Sequence, residues 1–586
     1  MTQLDLQQQA AATTTSLRAL VLAGAGSGKS RCLIERIAWL IETQKVSPTE
    51  IIAFSFTRKA SGEIRDRLKE RIGGKATGVQ MGTMHGLSLE FIHRFGEVIG
   101  LRPANVTVYG DFESGYLLAD VAQEMSAKKP SIKAAKEALE RYYQTGEEPK
   151  EDDPGRDLFM VFLARCRENN AVSYGSLLVG MRLLVPTLAK YLHVRHILVD
   201  EIQDIDPLQW NVINEMVSAF GCSLFVAGDI DQSIYEFRGA VPRYLVDHSG
   251  EFDIYRLEAN YRSMPEIVKA ANRLIENNQD RITKTMRATR EAPALAPESV
   301  QVENNIQSEG IVARANSWHC TEAPVAILAR KHSLLGKIDR LMEEAAIPHT
   351  YIGKTTALTN SEPFRRFHAF LKLAVNPFDN MSFLLIRDII GLSREEYGRI
   401  RLSAAQTGRS HFRVLIERYA LVSTEDLNIT HLENNPLITG GSLSQCAEWL
   451  NEHHPDLSPE SMAFIQKYVA GHPDDIASYL DWLATFDVQD EINGEGAEGI
   501  TLATIHAAKG LEWPVVIVAG CNEGIIPARP NDTDEIEGER RSMYVAMTRA
   551  MDQLILTVRP MESTDAAGRV HNSPESRFIT ELQGDR

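Results

Sequence analysis

The chain has 586 residues, 44% of them hydrophobic and 24% charged. These ordinary values exclude a mostly disordered, collagenous or membrane-embedded polypeptide, and at about 150 residues per domain the length suggests roughly four domains. With 62 basic against 79 acidic residues the net charge is −17, which argues against adhesion to a polyanion by bulk charge and leaves that task to local basic patches.

The N-terminus, Met1 to Thr15, is Gln- and Ala-rich and lacks the basic start and apolar stretch of a secretory signal. No apolar run reaches the ~18 residues of a membrane span, so the cytoplasm is the expected location. LRALVLAG, from Leu17, reads as a short buried strand. It leads into KSRCLIERIAWLI, where Leu33, Ile34, Ile37, Leu40 and Ile41 share one helical face. IIAFSF from Ile51 is a second strand candidate. Between Arg58 and Lys75 seven Lys or Arg face three acids, either a solvated helix face or a patch for a polyanion. From about Gly96 to Lys190 the pattern is helical and polar, broken by GEEPKEDDPGRD (Gly146 to Asp157), an expected exposed loop.

Two further buried strands, HILVDE from His196 and SLFVAGD from Ser223, follow. RITKTMRATR, Arg281 to Arg290, carries four positive charges and no negative one and admits the same two readings as the first basic run. VAILAR from Val325 is a strand. From about Asn376 to Gln489 the pattern is helical again, with a capping box starting at Ser393 and completed by Glu396. DVQDEINGEGAEG (Asp487 to Gly499) reads as a linker into the last strand candidate, PVVIVAG from Pro514. Strands alternating with helices predict parallel sheets covered on both faces, here two α/β cores, each interrupted by a mainly helical insertion. The expected boundaries are 1–95 and 191–257 for the first core, 96–190 for its insertion, 258–375 and 490–586 for the second core, and 376–489 for the other insertion.

The six cysteines lie far apart without a C-x-x-C pair, which argues against a disulfide framework or zinc site and for reduced, mostly buried thiols. His193 and His196 are spaced like a ligand pair but lack further ligands. His453 and His454 precede Pro455 in a turn-like segment, and Trp39 and Trp482 fit helical core positions.

AGAGSGKS occupies Ala23, Gly24, Ala25, Gly26, Ser27, Gly28, Lys29 and Ser30, after a strand and at the start of a helix. There a Gly-rich loop can wrap backbone N–H groups around a triphosphate, with Lys29 reaching the β and γ phosphates and Ser30 ligating Mg²⁺. The strict pattern has Gly where this chain has Ala23, and a Gly-rich turn without a ligand is the alternative. A P-loop needs a carboxylate for the metal at the end of a neighbouring buried strand, and Asp200 with Glu201 supplies a pair. One can hold Mg²⁺ while the other orients and deprotonates the attacking water. Hydrolysis also needs positive charge on the developing γ-phosphate. Arg262 and Arg549 are candidates that spacing alone does not single out.

Together these stretches resemble the motifs of the UvrD/Rep/PcrA family of superfamily 1 DNA helicases, in the family's order. The matching text is LDLQQQAA, AGAGSGKS, FSFTRKAS (Phe54 to Ser61), GTMHGL (Gly82 to Leu87), LVDEIQD, VAGDIDQSIYEFRGA (Val226 to Ala240), LEANYRS (Leu257 to Ser263), TIHAAKGLEWP (Thr504 to Pro514) and ERRSMYVAMTRA (Glu539 to Ala550). The resemblance implies two RecA-like P-loop cores and ATP with Mg²⁺ as cofactors. It implies that Gln8 reads the adenine edge, that Arg31 and Tyr261 pack on the base, that Glu512 contacts the ribose or nearby nucleotide groups, and that Gln232 links the γ-phosphate to the DNA side. Arg262 and Arg549 match two arginine fingers reaching across the cleft from the second core.

Thr57, Arg58, Thr83, His85, Arg238 and His506 match motifs lining a DNA groove. Phe56, Tyr235 and Phe237 offer faces for base stacking, worth about 1–3 kcal/mol per base; relatives often have Trp where Phe237 stands. The implied activity is ATP-driven movement 3′ to 5′ on single-stranded DNA, with unwinding of 3′-tailed duplex in repair, replication restart or recombination. The alternatives are a translocase serving a separate nuclease, as in phage defence, or an ATP-gated DNA-binding switch. The expected state is a monomer or weak oligomer off the membrane. Two departures stand out. The second insertion is shorter than in longer family members and has DIIGLSREEY (Asp388 to Tyr397) in place of their Gly-Ile-Gly duplex-contacting sequence. The 37 residues after Arg549 leave no expected space for a C-terminal extension or fused nuclease.

Overall fold

A computed structural model describes residues 4–103, 106–236, 239–291, 299–319, 323–352, 359, 361–387, 389–419, 435–484, 499–529, 535–560, 562–564, 570–572 and 574–583. Two compact units emerge: Met1–Met84 with Ala189–Lys354 and Asp487–Arg586, and His85–Leu188 with Thr355–Phe486.

The first unit holds two six-stranded sheets, parallel throughout. In the first, the spatial order is Gln80–Thr83, Ile51–Ser55, His196–Val199, Ser223–Gly228, Arg18–Ala23 and Asp253–Leu257. In the second it is Val300–Glu303, Ala550–Thr557, Trp513–Ala519, Val325–Ala329, Ile500–Thr504 and His349–Tyr351. Apolar runs form the inner strands such as Ser223–Gly228 and Val325–Ala329 because both faces are buried. Val325, Ile327 and Ala329 enter one core cluster, while Ala326 and Leu328, one step out of phase, enter another on the opposite face. All six apolar runs read from the sequence are strands. On the helix Lys29–Glu42, Leu33, Ile34, Ile37, Leu40 and Ile41 are buried and pack with Ala19, Val21 and Ala23 of the neighbouring strand.

The second unit is mainly helical, with one two-stranded parallel ribbon, Thr107–Tyr109 against Ala171–Ser173. Ser393 starts the helix Arg394–Thr407 through the expected capping box with Glu396. Lys129–Thr145 ends on a left-handed Gly146, and the following loop runs to the helix Arg156–Glu168. A buried polar knot fixes the ribbon. Tyr109 donates to Asp379 at 2.6 Å, and Asn376 donates to Thr107 Oγ1 and to the Asn169 carbonyl, each at 2.9 Å.

Cys32, Cys166, Cys222, Cys446 and Cys521 are free and buried. Cys320 and most of the expected linker, up to residue 498, lie outside the described residues. His196 meets Ser223 Oγ through Nδ1 at 2.7 Å. Trp39 and Trp482 are partly buried against their helical cores, and His453 is exposed beside a half-buried His454.

Candidate functional site

In a parallel sheet every carboxyl end lies on the same edge, and that edge of the first sheet collects the chemistry. Ala23 ends its strand and the loop Gly24–Gly28 follows. Val199 is succeeded by Asp200 and Gly228 by Asp229. Gly26 and Gly28 take the left-handed conformation, φ +68° and +77°. Gly28 caps the helix Lys29–Glu42 without a side-chain hydrogen bond, so the cap leaves the first-turn N–H groups facing the loop. Gln8, 2% exposed, is set by a capping box with Asp5 and donates from Nε2 to the Ser27 carbonyl at 2.9 Å. The buried Ser27 hydroxyl has no hydrogen-bond partner among the described residues, as expected of a loop shaped for phosphate oxygens.

Lys29 Nζ forms ion pairs with Glu201 and, at 3.6 Å, with Asp200. Glu201 adopts a positive φ of 53°, a conformation that costs a non-glycine residue about 1–2 kcal/mol. It is held by Lys29 and by Gln203, whose Nε2 donates to Oε2 at 2.5 Å. Burial pushes the Asp200 carboxyl up, against the pull of Lys29. For Glu201 burial acts the same way, but Lys29 and Lys509 outweigh it and hold the group below the usual carboxylate range. The two adjacent carboxylates therefore sit in different surroundings, Asp200 governed by burial and Glu201 by its cationic neighbours.

Strand pairing supplies the opposite wall. Asp253–Leu257 lies beside Arg18–Ala23, with Ala23 opposite Leu257, so the chain leaves that strand directly alongside the P-loop. Asn260 donates to the Ala25 carbonyl at 2.7 Å and the Tyr261 N–H to the Gly26 carbonyl at 2.9 Å. Tyr261 is 45% exposed, with its hydroxyl donating to Asp5 at 2.5 Å. Arg262 donates from Nε to Glu512 at 2.5 Å and from Nη1 to the Thr548 carbonyl at 3.1 Å.

In the second sheet Trp513 pairs with Ala550, which sets the preceding residues Glu512 and Arg549 side by side. Arg549, 2% exposed, donates to the Val545 carbonyl at 3.0 Å and to Gln232 Oε1 at 3.2 Å. Burial, then the charge of Arg262, push its guanidinium down to about 9, so it remains charged at neutral pH. A Cβ on Gly26 would lie 2.7 Å from Arg262 Cβ. Gly26→Ala is therefore expected to weaken nucleotide binding about tenfold or more, since roughly 1.4 kcal/mol of backbone strain and wall displacement suffices for that. Equilibrium titration with a non-hydrolysable triphosphate checks it.

The expected DNA residues divide. Phe56 stacks on Tyr235 at 4.8 Å. Tyr235 is 4% exposed, and its hydroxyl donates to the His506 carbonyl at 3.1 Å. Thr57 is buried and caps the helix Arg58–Ile72 through the Ala60 N–H. Arg58 and Thr83 are partly buried at the same sheet edge. His85 belongs to the second unit, where it stacks on Tyr174 at 4.4 Å. Phe237 and Arg238 lie outside the described residues.

Sequence reasoning passed over Asn260, Asp204 and Lys509, of which Lys509 forms an ion pair with Asp204 and donates to the Gln232 carbonyl at 2.6 Å. The run Arg281–Arg290, for which the sequence admits a solvated face or a patch for a polyanion, also supplies buried charge. Lys284 is in fact 6% exposed and pairs with Asp229 and Asp231. The acids of GDIDQS were the available signal.

Residues 4–253 match the UvrD/REP helicase N-terminal domain family, and residues 255–429 and 476–560 match the UvrD-like helicase C-terminal domain family. The chain is similar to ATP-dependent DNA helicase PcrA of Bacillus subtilis (strain 168), 27% identical over 99% of this chain and 85% of the relative. It is also similar to PcrA of Leuconostoc citreum, at 28% over 98% and 84%, and to ATP-dependent DNA helicase UvrD1 of Mycobacterium tuberculosis (strain ATCC 25618 / H37Rv), at 28% over 99% and 85%. Both domain families match in order across the two sheets and the loops that meet at Lys29, and the chain belongs to the UvrD/Rep helicase family.

Proposed function

We propose that this chain is a DNA-dependent ATPase that couples Mg-ATP hydrolysis to 3′-to-5′ movement on single-stranded DNA and to opening of 3′-tailed duplex. The observation that carries this reading is the two-sided wall around Lys29, with Asp200 and Glu201 at strand ends of one sheet and Arg262 and Arg549 tied to the other. Gln8 reads the adenine edge, Tyr261 and Arg31 sandwich the base, and Glu512 meets the ribose. The loop Ala23–Gly28 and Lys29 cradle the phosphates. Ser30 and Asp200 would hold Mg²⁺, which when bound would neutralise phosphate charge. Glu201 takes a proton from the attacking water, and the two arginines stabilise charge developing on the γ-phosphate.

Movement follows from the same contacts. Arg262 and Arg549 favour approach of the cores when the triphosphate is bound, and Gln232 connects that change to the segment carrying Tyr235, Phe237 and Arg238. Phe56, propped by Tyr235, offers a stacking face, while Thr57, Arg58, Thr83 and His506 line the strand's path. The cores are assigned to 1–95 with 191–257 and 258–375 with 490–586, the insertions to 96–190 and 376–489, and the location to the cytoplasm. Among the described residues no helix is long and apolar enough to cross a membrane.

Strand displacement on 3′-tailed and 5′-tailed duplexes tests the reading. Opening of the 3′-tailed substrate alone is expected, and a preference for 5′ tails would refute the polarity. ATPase activity tracking along single strands without displacement would select the translocase alternative, which the short second insertion favours. Despite the net charge of −17, affinity for single-stranded DNA should fall steeply with salt, because each phosphate met locally releases a counterion. A flat response would contradict the groove assignment.

A further inference from the structure

Three of the four basic residues in the run Arg281–Arg290 are spent inside the protein: Arg281 and Lys284 on Asp231 and Asp229, and Arg290 on Asp552, while Arg287 is exposed. The run follows the helix Pro265–Ile275, whose buried residues join the core of the second sheet, and crosses to acids that end a strand of the first. Arg281 grips Asp231 with two hydrogen bonds, 3.1 and 2.7 Å. Lys284 Nζ pairs with Asp229 and, at 2.5 Å, with Asp231. The side chains of Asp229 and Asp231 are 0% and 2% exposed.

Burial on this scale is tolerable only when charges are matched. Burial alone would raise the Asp231 carboxyl, yet Lys284 and Arg281 hold it below its usual value.

The consequence lies one bond further on. While Lys284 holds Asp229 Oδ1, Asp229 Oδ2 accepts from Gln232 Nε2 at 2.6 Å, which turns Gln232 Oε1 toward Arg549 Nη2 at 3.2 Å. The same strip continues past the P-loop wall. Arg287–Ala288 pairs with Ala259–Asn260, and Arg290 donates to the Arg262 carbonyl at 2.7 Å. Met286 Sδ occupies the space a side chain on Gly24 would need.

Resting on the ATPase reading above, we infer that Lys284 is a positioning residue that, through Asp229, sets the amide of Gln232 against Arg549. It tunes hydrolysis rather than holding DNA phosphate.

The test compares Lys284→Met, Lys284→Arg, Gln232→Ala and the double variant Lys284→Met/Gln232→Ala. Each is assayed for kcat and KM of single-strand-stimulated ATP hydrolysis and for single-strand affinity across salt. Lys284→Met is expected to lose about 10²-fold in kcat, the scale of a small misplacement of a reacting group, with KM, DNA affinity and salt slope unchanged. Lys284→Arg should recover most of the loss. In the Gln232→Ala background Lys284→Met should change kcat by no more than about twofold, because the two act in series.

A wild-type kcat in Lys284→Met, a loss adding in full to that of Gln232→Ala, or weakened DNA binding with a salt slope reduced by about one would each overturn the inference. If Lys284→Met fails to fold, Lys284→Met/Asp231→Asn, which removes one charge of each sign, is read instead. The same kcat loss supports the inference there, and wild-type turnover overturns it. Absence of DNA-stimulated turnover in the unmodified chain would overturn the ATPase reading itself. Normal stimulation insensitive to Lys284 overturns this inference alone.

Discussion

Arg549→Ala is expected to lower kcat for DNA-stimulated ATP hydrolysis by about 10³-fold or more, the range for losing an arginine that meets transferring phosphate, while ATP still binds. The guanidinium is fully buried and four acceptors hold it: the Val545 and Leu511 carbonyls, Gln232 Oε1 and Thr548 Oγ1. On the proposed reading, a side chain so fixed would present its charge to the nucleotide without reorganising, which is what makes such a group effective in the transition state. Lysine is a poor substitute, since one ammonium cannot reproduce a planar fork that already spends its donors on several oxygens. Arg549→Lys should therefore remain close to Arg549→Ala. Arg262→Ala should also be slow, and the double variant less than multiplicatively so, because both arginines lean on Thr548. Steady-state kinetics with saturating single-stranded DNA checks this, with a thermal melt excluding unfolding. Near-normal turnover by a folded Arg549→Ala would remove the second wall from the mechanism.

The legible parts of this molecule are those where local sequence carries the physics. Val325–Ala329 and Ser223–Gly228 are buried along their whole length, so an unbroken apolar run marks them. AGAGSGKS announces its loop because only glycine enters φ near +70° at low cost. Edge strands leave no such mark. Asp253–Leu257 is half exposed and Val300–Glu303 only partly buried, and neither reads as an apolar run. Ala550–Thr557 lies inside the sheet, but Asp552 and Gln553 interrupt its apolar run near the start.

Long-range pairing hid the rest of the site. Arg549 reaches Gln232 across 317 residues, and only the register of Trp513 with Ala550 brings Glu512 beside it. Arg281 and Lys284 read as surface charge because their partners, Asp229 and Asp231, lie about 50 residues upstream, outside any compositional window. Family resemblance named the arginines; it did not name Lys284.

Glu201→Gln should separate chemistry from binding. The amide keeps the shape of the carboxylate but cannot accept a proton from water at neutral pH, and removing a general base costs about 10²–10⁴ in rate. Lys29 would still face Asp200 at 3.6 Å, so the ammonium keeps one carboxylate partner, and ATP affinity should hold or rise slightly as one nearby negative charge disappears. Lys29→Ala differs in kind, since it removes the ammonium assigned to the phosphates and leaves the buried Asp200 and the partly buried Glu201 without their shared partner, so it should lose nucleotide binding as well as turnover. Because hydrolysis is what lets the cores separate again in this mechanism, Glu201→Gln with ATP should also stay on single-stranded DNA longer than the unmodified chain. Single-turnover hydrolysis alongside dissociation from labelled DNA reads both effects. If Glu201→Gln lost ATP affinity in step with turnover, Glu201 would be a structural partner of Lys29 and not the base.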